Sequence, residues 1–145
     1  MKRILFFSVV VFLASFANSQ DDVVTWSTNY NANNSEVEIK ATLAKGWHLY
    51  SQQVTEVFGP VPTSFSFDNN SACILVGEMK EPKAIHEFDP NFETSLDYFE
   101  DEVIFTHKIK TTQSTDLIGE ITYMACNEVR CIPPSVEKFS IKITK

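Results

Sequence analysis

The feature that most constrains this chain is a two-residue alternation of apolar and polar side chains, repeated along most of its length with little helical period. VVTWSTNY (23–30), VEIKATL (37–43), WHLYSQQV (47–54) and TSFSFD (63–68) alternate or are rich in β-branched and aromatic residues. CILVGEM (73–79), DEVIFTHKI (101–109), GEITYMA (119–125) and KFSIKIT (138–144) read the same way. A period of two sends successive side chains to opposite faces of an extended strand, one face to be buried and one to stay wet. NANNS (31–35), FGPVP (58–62), DNNS (68–71) and TTQSTD (111–116) break the pattern with turn-forming residues. Eight short strands at this spacing predict an all-β fold, an antiparallel β-sandwich of immunoglobulin-like size. The stretch EPKAIHEFDPNFETSLDYF (81–99) interrupts the series and is predicted as a long acidic loop, of the kind that is often functional or disordered.

The N-terminus, MKRILFFSVVVFLASFANSQ, carries Lys2 and Arg3, then a mostly apolar run from Ile4 to Ala17. Small residues follow at Ala17 and Ser19, three and one positions before a cleavage at Gln20. This is the pattern of a secretory signal peptide over residues 1–19, and the apolar run is shorter than the roughly 20 residues of a membrane span. The expected mature chain, residues 20–145, is a single exported domain that is soluble once the signal is removed. It keeps 10 Lys and Arg against 19 Asp and Glu, a net charge of −9. That balance excludes nucleic acid and anionic membrane surfaces as partners.

Export gives the cysteines their meaning, because thiols of suitable geometry pair in an oxidising compartment. Cys126 and Cys131 are separated by Asn127-Glu128-Val129-Arg130 and followed by Pro133-Pro134. Extended chain would hold them about 16 Å apart, at about 3.3 Å per residue. A disulfide needs Cα atoms within about 4.4–6.8 Å, so a bond requires the chain to double back in a tight loop. So short a loop gives only about 2 kcal/mol of cross-link stabilisation. From the residues alone, a structural staple and a redox-active pair both stay open. A metal site lacks the paired ligand spacing that zinc requires, since His48, His86 and His107 are isolated and Cys73 lies far upstream. No cofactor motif is present. Cys73 opens an apolar run and reads as a small buried hydrophobe.

YMACNEVRCIPP (123–134) resembles the active-site hairpin of the N-terminal periplasmic domains of DsbD-type thiol:disulfide interchange proteins. GWHLYS (46–51), GPVPTSFSF (59–67), GEMKEP (77–82) and HEFDPNFETSLDYFEDEVIF (86–105) are similar to further segments of that family, in order. The resemblance implies an immunoglobulin-like sandwich in the periplasm that hands reducing equivalents to oxidised proteins. Cys131 would form the mixed disulfide with partners and Cys126 would resolve it. It also implies thioredoxin-fold partners and a membrane-linked electron donor. A cap loop bearing a phenylalanine would shield the pair, with Phe92 the best match and Phe88 the second. His48 and Tyr50 fall on the strand whose aromatics lie near the pair in the family. The intervening loop has four residues here, against five in the better-known proteobacterial domains.

Overall fold

The computed structural model describes residues 22–145, so the signal peptide expected at 1–19 lies outside the described residues. The described chain forms eleven strands and no helix. They are β1 (Val24–Asn31), β2 (Glu36–Leu43), β3 (His48–Tyr50), β4 (Ser64–Phe67), β5 (Cys73–Lys80) and β6 (Ile85–Asp89). β7 (Thr94–Glu100), β8 (Glu102–Thr111), β9 (Thr115–Tyr123), β10 (Ala125–Cys126) and β11 (Ser135–Ile143) follow. The strands pair antiparallel in three sheets, ordered β1-β2-β8-β5, β10-β3-β7-β6 and β11-β9-β4.

The alternation decides what the first and third sheets bury. Val37, Ile39, Ala41 and Leu43 of β2 point inward with Val103, Phe105 and Ile109 of β8. Leu117, Ile121 and Tyr123 of β9 and Phe139, Ile141 and Ile143 of β11 meet them. Phe65 of β4 stands 4.9 Å from the Phe105 ring and 6.4 Å from Trp26 of β1, tying the two sheets together through aromatic edges. Truncating a ring as buried as Phe105 would cost about 3–5 kcal/mol. At Gly119 a Cβ would collide with the Ser66 carbonyl oxygen and the Phe139 ring, so only glycine lets β4 and β11 close around β9. The fold is the expected all-β, immunoglobulin-like antiparallel sandwich.

Two segments depart from the sequence reading. Residues 81–99 are not a structureless loop: β6 and β7 pair there, from Ile85↔Tyr98 to Asp89↔Thr94. β6 is an edge strand exposed at four of its five positions, so it lacks the half-buried alternation that marks a strand. Only Leu96, Tyr98 and Phe99 of β7 are buried, among acids that obscured them. The strand expected at 47–54 shrinks to β3, because the chain turns away at Ser51 to meet Glu81. Ser51 Oγ donates to Glu81 Oε1 at 2.5 Å and Gln52 N–H donates to Oε2 at 3.0 Å.

The middle sheet positions the cysteines. β9 runs through Met124 directly into β10, whose Cys126 pairs with His48 of β3. On its other side β3 pairs with β7, matching His48 to Glu100 and Tyr50 to Tyr98.

Candidate redox site

Cys126 and Cys131 are joined in a disulfide, with Cα atoms 4.0 Å apart. The hairpin between them is shaped by one side chain. Asn127 Oδ1 accepts from the Val129 and Arg130 N–H groups, both at 2.9 Å, an Asx turn that reverses the chain. Backbone bonds Asn127 N–H to Arg130 O and Ile132 N–H to Ala125 O, each 2.9 Å, close the ladder on either side of the sulfurs. The Arg130 guanidinium lies 5.4 Å from the centre of the Trp47 ring and pins the hairpin tip to the start of β3. Gly46, at φ 79°, makes the turn that presents Trp47 there.

The two sulfurs have different surroundings. Cys126 is 0% exposed and packs with Tyr50, Val54, Leu96 and Tyr98 in a small second core. Cys131 is only partly buried and packs at the margin of that cluster, as do Phe92 and Met124. Phe92 sits on the turn between β6 and β7, its ring edge-on to Tyr50 at 5.8 Å. That turn is held through Asn91. Asp89 Oδ1 accepts from the Asn91 N–H at 2.7 Å, and Asn91 Nδ2 donates to the Asn127 carbonyl in the cysteine hairpin at 2.8 Å.

Beneath the turn lies a buried polar network. Asp89 is 1% exposed; its Oδ2 accepts from the Tyr50 hydroxyl at 2.6 Å and lies 3.1 Å from His48 Nε2. Burial pushes the Asp89 pKa up, but the Tyr50 hydroxyl, the Asn91 N–H and neighbouring His48 outweigh it and hold the carboxyl below its ordinary value. Burial raises the Tyr50 phenol, and the bond to Asp89 raises it further. With the Tyr50 proton committed to an ionised Asp89, His48 Nε2 must carry a hydrogen to approach that oxygen. Its Nδ1 makes no hydrogen bond among the described residues.

Of the residues singled out from the sequence, Cys126, Cys131, Tyr50 and Phe92 meet in one cluster. His48 joins through Tyr50 and Asp89. Phe88 does not: it is 64% exposed and lines an outer groove. Sequence reasoning missed Asp89, Asn91, Val54 and Tyr98. Asp-Pro-Asn at 89–91 is a turn signal that could have located the first two. Among the described residues no group of three or more His, Cys, Asp or Glu is placed to hold a metal ion, and no helix is long and apolar enough to cross a membrane.

A hairpin disulfide at the end of an immunoglobulin-like sandwich, with one sulfur's residue buried and the other's partly exposed, defines a cysteine-hairpin domain. Residues 17–143 match the family model "Thiol:disulfide interchange protein DsbD, N-terminal", and the chain belongs to that family. It is 26% identical over 157 residues to the thiol:disulfide interchange protein DsbD of Haemophilus influenzae strain PittGG, and 25% identical to that of strain KW20. The alignment covers 97% of this chain but 24% of those curated relatives, so the chain spans about a quarter of their length. Among solved structures it is similar to the reduced N-terminal domain of Neisseria meningitidis DsbD, with TM-score 0.63, 16% identity and coverage of 85% and 87% of the two chains. The complex of the DsbD and PilB N-terminal domains from that organism matches with TM-score 0.61, 13% identity and 88% coverage of each chain. At these identities the structural matches show the fold.

Proposed function

We propose that this domain works in the periplasm as a carrier of reducing equivalents, exchanging its Cys126–Cys131 pair with disulfides of thioredoxin-fold proteins. One observation carries the reading: the disulfide is unequally buried, with Cys126 sealed in the small second core and Cys131 only partly buried at its margin. Family membership supports it. In the reduced domain the Cys131 thiolate attacks one sulfur of the partner's disulfide and expels the other as a thiolate. The Cys126 thiolate then attacks Cys131 Sγ, forms the internal bond and releases the partner's second thiolate. Two electrons pass to the partner, whose two sulfurs take up the two protons that the cysteines give up. A membrane-linked donor restores the dithiol by the reverse exchange.

The geometry suits both steps. The Asx turn and the Arg130–Trp47 contact hold the sulfurs adjacent in a local unit that opens without disturbing the sandwich core. Phe92 limits access to Cys131, so electrons are kept for a partner able to displace the turn. The Tyr50–Asp89–His48 network fixes the floor on which Cys126 and Phe92 rest.

Trapping tests the assignment of roles. Cys126→Ser should accumulate a stable mixed disulfide between Cys131 and an oxidised thioredoxin-fold partner, whereas Cys131→Ser should accumulate none. Equal trapping by both variants would reject the assignment, and trapping by neither would favour a structural disulfide.

A further inference from the structure

The loop between the two cysteines is tied to the rest of the domain at few points. Glu128, Val129 and Arg130 are exposed, and the Arg130 guanidinium rests over Trp47. Among the described residues, one hydrogen bond reaches residues 127–130 from another part of the chain: Asn91 Nδ2 donates to the Asn127 carbonyl at 2.8 Å. Both of its partners are anchored. The Asn91 N–H donates to Asp89 Oδ1 at 2.7 Å, and the other oxygen of Asp89 accepts from the Tyr50 hydroxyl. Asn127 is the residue that shapes the loop: its Oδ1 accepts from the Val129 and Arg130 N–H groups, and its own N–H donates to the Arg130 carbonyl. A hold on Asn127 is therefore a hold on the whole loop. Cys126, just before it, is fully buried and paired with His48 of β3.

We propose that Asn91 is a positioning residue of the redox pair: by holding the Asn127 carbonyl it stabilises the disulfide hairpin over the dithiol, and so sets how strongly the pair reduces its partners. The proposal rests on the exchange reading and names one of its determinants. Reduction of the bond takes up two electrons and two protons and leaves two thiols. Their sulfurs must separate from the bonding distance of about 2.05 Å to non-bonded contact. With Cys126 fixed in its strand, the loop and Cys131 take up that separation. The Asn127 carbonyl then shifts away from Asn91, which Asp89 keeps in place. The hydrogen bond is complete in the disulfide form and weakened in the dithiol, so it favours the oxidised side of the equilibrium. A net hydrogen bond of this kind changes an equilibrium by about three- to tenfold.

The test equilibrates the whole domain against glutathione at pH 7, as wild type, Asn91→Ala and Asn91→Leu, the last keeping the bulk of the side chain without its donor. Both variants should favour the dithiol about fivefold more than wild type does. At about 30 mV per tenfold, that is a shift of about 20 mV toward a less negative potential. Urea unfolding of the two redox forms closes the cycle. Each substitution should weaken the oxidised form by about the same fivefold factor in its unfolding equilibrium and leave the reduced form nearly unchanged. A side chain that merely supports the turn would weaken both forms equally and leave the potential where it was. That result, or a shift toward a more negative potential, overturns the role of Asn91 and leaves the exchange reading standing. A wild-type bond that stays oxidised at every glutathione ratio would overturn the exchange reading, and the positioning role with it.

Discussion

Asp89 is where the architecture concentrates its stake. Its carboxylate takes hydrogen bonds from the Tyr50 hydroxyl at 2.6 Å and the Asn91 N–H at 2.7 Å, with His48 Nε2 at 3.1 Å, and its side chain is 0% exposed. Asp89→Ala removes all three interactions and strands a buried phenol and a buried imidazole N–H. Bonds to a charged group contribute about 1.5–3 kcal/mol each and do not add fully. Breaking such a buried network costs about 3–5 kcal/mol, a large share of the 5–15 kcal/mol that holds a domain together. In urea at pH 7, with the disulfide intact, the unfolding midpoint should fall by more than about 1 M, given slopes of about 1–3 kcal/mol/M. The pH dependence has a definite sign. Because the folded carboxyl titrates below its unfolded value of about 3.9, its contribution is complete above that pH and is lost as pH falls through the lower folded pKa. Wild type should therefore lose this increment only below about pH 4, and Asp89→Asn should lack that acid limb. A loss under about 1 kcal/mol for Asp89→Ala would show that the network does not hold the site, and would refute the reasoning.

Three further outcomes follow from single residues. His107 is 6% exposed inside the sandwich; burial pushes its pKa down, the Gly77 carbonyl offsets only part of this, and neither ring nitrogen makes a hydrogen bond of acceptable geometry. The unfolded chain therefore takes up the proton first, so stability should fall as pH drops below about 6.5, and thermal melts of His107→Leu should show a smaller fall at no cost at pH 7. Phe92→Ala should leave the fold intact yet speed oxidation of the reduced pair by a small oxidant; equal rates in mutant and wild type would dismiss the cap. Gly119→Ala should lower stability by about 1–3 kcal/mol in chemical denaturation, since its Cβ has no room between Ser66 and Phe139.

Most of the sandwich was legible because β2, β8, β9 and β11 bury one face and wet the other, which writes period two into the sequence. β6 was not, since an edge strand exposed on both faces carries no such signature. β3 misled in the opposite way: all three of its residues are buried, so its end is set by the Ser51 and Gln52 bonds to Glu81, a contact 29 and 30 residues distant in sequence. At the site, the paired cysteines and the need for a tight hairpin could be read from spacing. The choice between Phe92 and Phe88 could not, because it depends on the β6–β7 register that turns one ring toward Tyr50 and the other to solvent. Asp89 stayed hidden for a related reason. It is one acid in an acidic stretch, and only the fold reveals that it alone is drawn beneath the turn.

The reduction potential of the Cys126–Cys131 bond, measured by equilibration of the domain against glutathione, tests the central claim most directly. A carrier must give up its electrons to partners and be re-reduced, so the potential should lie above about −300 mV, in the range of exchanging dithiols. A value well below about −300 mV would mark the bond as a structural staple and contradict the account.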